Sequence, residues 1–166
     1  MQPEIPARAN RELEEEFPQV DSLASDVVIN VWRTSALLSE DLVRVLRPSN
    51  LTLTGFRVLM MLRAAGGTLS PAEIAARLGS ARATVTGVLD SLEKRSSVLR
   101  SPHPEDRRRL QISITDSGRA LLDEILPAYF TRERDAVAAL DPGQQEAIVT
   151  LLGELQRGLY ARRSDG

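Results

Sequence analysis

The chain has 166 residues, 42% of them hydrophobic, enough to bury a sizeable core, and a formal net charge of −2. With no cysteine and a single histidine, His103, it excludes disulfides, thiol redox sensing, CxxC zinc sites and a His-rich metal centre. No Gly-rich phosphate loop or nucleophile and base arrangement is present, and the longest apolar run is about Val58–Leu62, so neither an enzyme, a metal or cofactor site, a signal peptide nor a membrane span is predicted.

Residues 1–20 combine Pro3, Pro6 and Pro18 with Glu12, Glu14, Glu15 and Glu16, an acidic extension that reads as either disordered or a short capping helix and is assigned no function. From Asp21, Val28, Val31, Trp32, Ser35, Leu38, Leu42, Val45 and Leu46 form a helical stripe, and Ile29, Ala36, Leu37 and Val43 add a second apolar side. The 21–52 segment is therefore predicted to be a helix buried in more than one interface.

Ser70-Pro71-Ala72-Glu73 has the form of a capping box with proline at the first helical position. Ile74 and Leu78 share one face, and Gly79 ends the helix in a conformation that only glycine adopts cheaply. A second helix follows, with Ala81, Val85, Val88, Leu89 and Leu92 as its apolar stripe and Ala83, Thr86, Gly87, Asp90 and Lys94 on the opposite side. A helix with such a small, polar outer face fits a DNA major groove, where Ser80, Arg82, Thr84 and Thr86 would meet base edges and phosphates.

Next comes a strand, then a cationic turn, Asp106-Arg107-Arg108-Arg109, then a second strand in which Leu110, Ile112 and Ile114 alternate with Gln111, Ser113 and Thr115. Such a turn on a short hairpin has the form of a DNA-binding wing; His103 beside it reads as a surface turn residue. Thr115 is placed to cap a long helix through Leu140, bent or interrupted at Pro127. Asp141-Pro142-Gly143-Gln144 opens another helix, with Ile148, Leu151, Leu152, Leu155 and Leu159 at helical spacing. Charge follows these divisions: −5 over residues 1–26, +2 over 27–76, +4 over 77–109 and −3 over 110–166. The overall acidity thus conceals a cationic reading region suited to phosphate.

The order helix, turn, helix, strand, arginine turn, strand resembles the winged helix-turn-helix of the MarR family of bacterial transcription regulators. The residues carrying the resemblance are Leu53-Thr54-Gly55-Phe56-Arg57-Val58-Leu59, Thr84-Val85-Thr86, Leu92-Glu93-Lys94-Arg95, Asp106-x-Arg108 and Ile114-Thr115-x-x-Gly118. The resemblance implies a mainly α fold with a small β-hairpin wing, in one continuous globular domain. Within it the N-terminal dimerisation helix is 21–52, the winged helix-turn-helix 53–118, and the C-terminal dimerisation helices 119–166. It also implies a cytoplasmic homodimer that binds a palindromic double-stranded operator, a repressor released by a small effector. By similarity, Arg108 enters the minor groove, flanked by Arg107 and Arg109, and Asp106 orients the turn through an ion pair.

The sequence departs from the family at two places. Relatives commonly read Gly-Leu-Val where this chain has Ser96-Ser97-Val98, which predicts a looser helix end, and they often carry a larger or charged residue at Gly87. Trp32, Arg33, Arg57, Met60 and Met61 fall where relatives form an effector cleft, suiting a small aromatic or anionic ligand. The Trp32-Arg33 pair resembles a urate-responsive branch, but Arg57 stands where that branch has an aspartate, so that ligand is not carried over. The alternative function is a winged-helix protein-interaction module with little or no DNA binding. Salt-sensitive, sequence-selective DNA affinity separates the two.

Overall fold

The computed structural model describes residues 5–8, 16–103, 106 and 109–164, with side chains as far as residue 162. Wing residues Arg107 and Arg108, together with most of the acidic extension, lie outside the described residues. The chain divides into two compact units, 1–127 and 128–166, each taken by itself below.

In the first unit, α1 (Ser22–Leu46) opens with the Asp21 carboxylate accepting from the Ala24 N–H, which satisfies one of the free donors at the helix start. It ends at Leu46, earlier than the 21–52 reading, because Pro48 sits in a 3-10 turn (Arg47–Ser49) and Asn50 takes a left-handed φ of 48°. Helix α2 (Leu53–Ala64), capped by Thr52, carries the centre of the core: Phe56, Val58, Leu59 and Leu62 are all buried. Fully burying side chains of this size stabilises by about 1.5–3 kcal/mol each, before the entropy of ordering them is subtracted. A Gly66-Gly67 turn leads to β1 (Thr68–Leu69), then α3 (Pro71–Leu78), α4 (Arg82–Lys94), β2 (Val98–Pro102) and β3 (Leu110–Ile114).

The sheet is antiparallel in the order β1-β3-β2, with Val98 opposite Ile114, Arg100 opposite Ile112 and Pro102 opposite Leu110. Alternation holds where the hairpin overlies the core, since Ile112 and Ile114 are buried. It fails at the outer end: Leu110, expected inward, is 51% exposed because the hairpin has run past the layer beneath it. Thr115 caps α5 (Asp116–Ala136), its hydroxyl accepting from the Gly118 N–H at 3.0 Å. Helix α5 ends at Ala136, short of the predicted Leu140, and Pro127 lies inside it without interrupting it.

The second unit holds the end of α5 and α6 (Pro142–Ser164). Asp141 and Gln144 exchange reciprocal side-chain to backbone bonds at 2.9 and 3.0 Å, the capping arrangement expected from the sequence. Leu151, Leu159 and Tyr160 of α6 are exposed in the single chain.

Candidate nucleic-acid interface

Local punctuation places the reading head. The Ser70 hydroxyl accepts from the Glu73 N–H at 3.2 Å while the Glu73 carboxylate accepts from the Ser70 N–H at 2.8 Å and its hydroxyl at 2.6 Å. These bonds hold the Glu73 carboxylate below its ordinary range, with Arg77 and then Arg109 adding smaller pulls in the same direction. Helix α3 packs Ile74 and Ala75 inward and stops at Gly79, whose φ of 61° turns the chain sharply into α4.

Helix α4 then lies with Val85, Leu89 and Leu92 buried and Arg82, Ala83, Thr84, Thr86 and Gly87 exposed. The expected outer face is presented at Ala83, Thr86, Gly87 and Lys94, but Asp90, also placed there by its spacing, is half-buried against Arg100 of β2, and Ala81, placed in the apolar stripe, is an exposed N-cap without a side-chain bond. The Thr86 hydroxyl donates to the Arg82 carbonyl at 3.0 Å, which spends its proton on the helix and leaves its oxygen as an acceptor. Ser80 is half-buried, with its hydroxyl donating to the Leu78 carbonyl at 3.4 Å.

At the hairpin tip, His103 N–H donates to the Arg109 carbonyl at 2.8 Å and Arg109 N–H to the Asp106 carbonyl at 2.9 Å, so the cationic turn is closed by backbone bonds. A notch of about 340 Å³ is lined by Ser70, Pro71 and Ala72 from the start of α3, Arg82 and Thr86 from α4, and Arg109 and Leu110 from the wing base. Arg82, Thr86 and Arg109, singled out separately along the sequence, therefore converge on one surface.

The expected looseness after α4 is not found. Ser96 adopts the left-handed conformation itself, at φ 57°, and its N–H and that of Ser97 donate to Glu93 and Leu92 carbonyls at 2.8 and 2.9 Å. The Thr115 hydroxyl donates to the Ser96 carbonyl at 2.6 Å, and Ser97 is only 2% exposed. Sequence reasoning also missed two arginines. Arg95 donates from its guanidinium to the Ser49 and Asn50 carbonyls, tying the end of α4 to the turn after α1. Arg100 reaches from β2 to α4; the spacing of its acceptors along that helix was the available signal.

The residues proposed for an effector are less convergent. Trp32 is 70% exposed on α1, Arg33 and Arg57 are exposed, and Met60 and Met61 are half-buried on α2. The hollow containing Trp32 is lined by Ala24, Ser25, Val28 and Ile29, without the other four.

The MarR family model matches residues 51–110. The chain is 28% identical over 142 residues to the HTH-type transcriptional repressor YetL of Bacillus subtilis, covering 85% of each protein. It is 30% identical over 138 residues to the HTH-type transcriptional regulator YwaE of the same organism, covering 82% of this chain and 80% of YwaE. Among solved structures, Bordetella bronchiseptica BpsR, whose DNA binding is regulated by 6-hydroxynicotinic acid, superposes with a TM-score of 0.70 at 29% identity, over 76% of this chain and 89% of BpsR. A winged helix-turn-helix with this reading face, together with relatives matched along four-fifths of their length, establishes that the chain belongs to the MarR family.

Proposed function

We propose that the protein is a cytoplasmic, homodimeric, sequence-specific regulator that binds a palindromic double-stranded operator, acts as a repressor and is released by a small aromatic or anionic effector. The observation that carries the DNA-reading function is the convergence of Arg82, Thr86 and Arg109 beside the exposed, small-residue face of α4. Such a face enters a major groove, and the adjacent wing delivers guanidinium groups to the flanking backbone and minor groove. In this reading Ser80, Arg82, Thr84 and Thr86 serve the major groove, Arg107, Arg108 and Arg109 serve the wing, and Asp106 orients it.

Dimerisation is supported by the apolar side chains that α1 and α6 leave exposed, among them Leu23, Trp32, Leu37, Val149, Leu151 and Tyr160. A two-fold dimer presents two α4 helices to major grooves roughly 34 Å apart, which is the reason for a palindromic site. Release by an effector is supported by the likeness to BpsR; Trp32, Arg33, Arg57, Met60 and Met61 are the candidate contacts. Among the described residues no helix is long and apolar enough to cross a membrane, and no group of three or more His, Cys, Asp or Glu is placed to hold a metal ion.

The test is selection of duplexes from a random pool, then fluorescence anisotropy of the selected duplex and a scramble at several salt concentrations, with Arg82→Ala and Arg108→Ala beside the wild type. Expected are a palindromic winner, preference over the scramble by about 10³-fold or more, and a steep salt dependence weakened in both variants. Equal, feeble binding to both duplexes would reject the DNA-reading function in favour of a protein-interaction module. A panel of hydroxylated aromatic acids, scored by release of the selected duplex, tests the effector.

A further inference from the structure

The recognition helix has a second side besides the one proposed to face DNA. Asp90 and Glu93, both acidic, stand on its flank toward β2, with side chains 48% and 40% exposed. With the Thr86 carbonyl they form a stripe at spacings of four and three residues, one side of a helix. One guanidinium meets all three. Arg100 Nη2 donates to Asp90 Oδ1 at 2.5 Å and to the Thr86 carbonyl at 3.4 Å, and Nε lies 3.5 Å from Glu93 Oε2.

The base from which Arg100 reaches is fixed. It sits on β2 opposite Ile112, and Ile112 is wholly buried. Its own side chain is 26% exposed, so the pairs are partly withdrawn from solvent and its head has little freedom. The planar guanidinium has donors in a rigid fork and can serve several acceptors at once with fixed angles, whereas an ammonium on a flexible stem cannot reproduce that geometry.

We infer that Arg100 is the positioning residue that sets the recognition helix against the wing. The inference rests on the proposed reading of operator DNA by α4 and the wing, and it deepens that reading by naming what fixes their relative placement. A hairpin and a helix that must meet one duplex together lose selectivity when they move independently, even if each retains its own contacts. Arg100 therefore governs discrimination between operator and other DNA more than it governs attraction to DNA.

The experiment compares wild type, Arg100→Ala, Arg100→Lys and Asp90→Asn on the selected duplex and its scramble across a salt series, with thermal melts to verify folding. Arg100→Ala is expected to lose about ten-fold or more on the selected duplex while binding the scramble within about two-fold of wild type, with an unchanged salt slope. Arg100→Lys keeps the charge but not the fork, so it recovers little of the lost selectivity; Asp90→Asn loses selectivity in the same direction by a smaller factor. Equal losses on both duplexes with a shallower salt slope would make Arg100 an ordinary phosphate contact and overturn the inference. So would a Lys variant as selective as wild type, since charge alone would then suffice. If Arg100→Ala does not fold, Asp90→Asn and Arg100→Lys decide: wild-type selectivity in both sinks the inference. A wild type that does not distinguish the duplexes sinks the DNA-reading function itself.

Discussion

Replacing Gly118 by alanine tests the joint on which the wing and α5 meet. A Cβ built at Gly118 lies 2.2 Å from the Ser97 carbonyl oxygen, 3.1 Å from its carbon and 3.0 Å from Ile114 Cγ1. The first of these must open to at least 3.0 Å before it becomes a contact that real side chains make. The Ser97 carbonyl cannot simply swing away. It accepts the Thr115 N–H at 3.2 Å, Ser97 itself is buried, and the preceding carbonyl is held by the Thr115 hydroxyl. Overpacking of this kind costs about 1–3 kcal/mol, and a weakened backbone bond adds about 1 kcal/mol. Exchanging glycine for alanine in a helix returns less than about 1 kcal/mol. The net cost is therefore about 1–3 kcal/mol, a fall in Tm of about 2–12 °C for a chain of this size.

The assay is calorimetry or circular dichroism melting of wild type and Gly118→Ala at one protomer concentration, because dimerisation makes Tm concentration-dependent. Gly87→Ala is the internal control. It lies inside α4, a Cβ there meets nothing within 4 Å, and alanine is expected to raise Tm by about 2–4 °C from helix propensity alone. A Gly118→Ala protein melting at or above wild type, with Gly87→Ala behaving as expected, would refute the steric account of this joint.

Ser96→Gly removes the strain of an L-residue at φ 57° and is expected to stabilise by about 0.5–1 kcal/mol; a lower Tm would show that the serine side chain contributes something its backbone conformation does not reveal. Glu73 is held below its ordinary pKa of 4.5 chiefly by the Ser70 hydroxyl, so its contribution to stability is fully present above that value and is lost as pH falls through the lowered one. Glu73→Gln should flatten the acid limb of a stability-versus-pH curve in that window and leave the neutral limb parallel to wild type; an unchanged acid limb would contradict the capping box as its source. Asn30→Ala removes the carboxamide that accepts from the Ala7 N–H at 3.0 Å and donates to its carbonyl at 2.8 Å. Faster hydrogen exchange at the Ala7 amide and faster tryptic cleavage after Arg8 are expected, and wild-type protection at both would mean that Asn30 does not dock this segment.

The helix-turn-helix was legible because its signals are local. Ser70, Pro71, Glu73 and Gly79 each act within one turn of helix, and the α4 stripe needs only a period. What escaped the sequence is set by partners far along the chain. Residues 5–8 were assigned nothing, yet Ala7 is buried against α1 because Asn30, 23 positions later, offers a carboxamide shaped to a peptide group, and Arg8 pairs with Asp26 at 2.9 Å. Arg100 was passed over because its acceptors lie on another element, and Leu110 was misplaced because alternation says nothing about where the underlying layer ends. The effector candidates were grouped by resemblance, and they lie on two helices with Trp32 in a hollow of its own.

Ser96 and Gly118 show why the same departure from a family pattern can be harmless at one position and forbidden at another. At 96 the requirement is a dihedral angle. Serine meets it at a cost of about 1–2 kcal/mol, and the hydroxyl of Thr115 secures the exposed carbonyl, so the helix end stays closed without glycine. At 118 the φ is ordinary and the requirement is room: the Ser97 carbonyl occupies the place where any Cβ would sit. A backbone angle can be strained, but two atoms cannot share one position. The glycine of the Ile114-Thr115-x-x-Gly118 motif is thus required by a backbone group, the Ser97 carbonyl, whatever side chain residue 97 carries, while the neighbouring Ser96 carbonyl is held by the Thr115 hydroxyl at the start of α5.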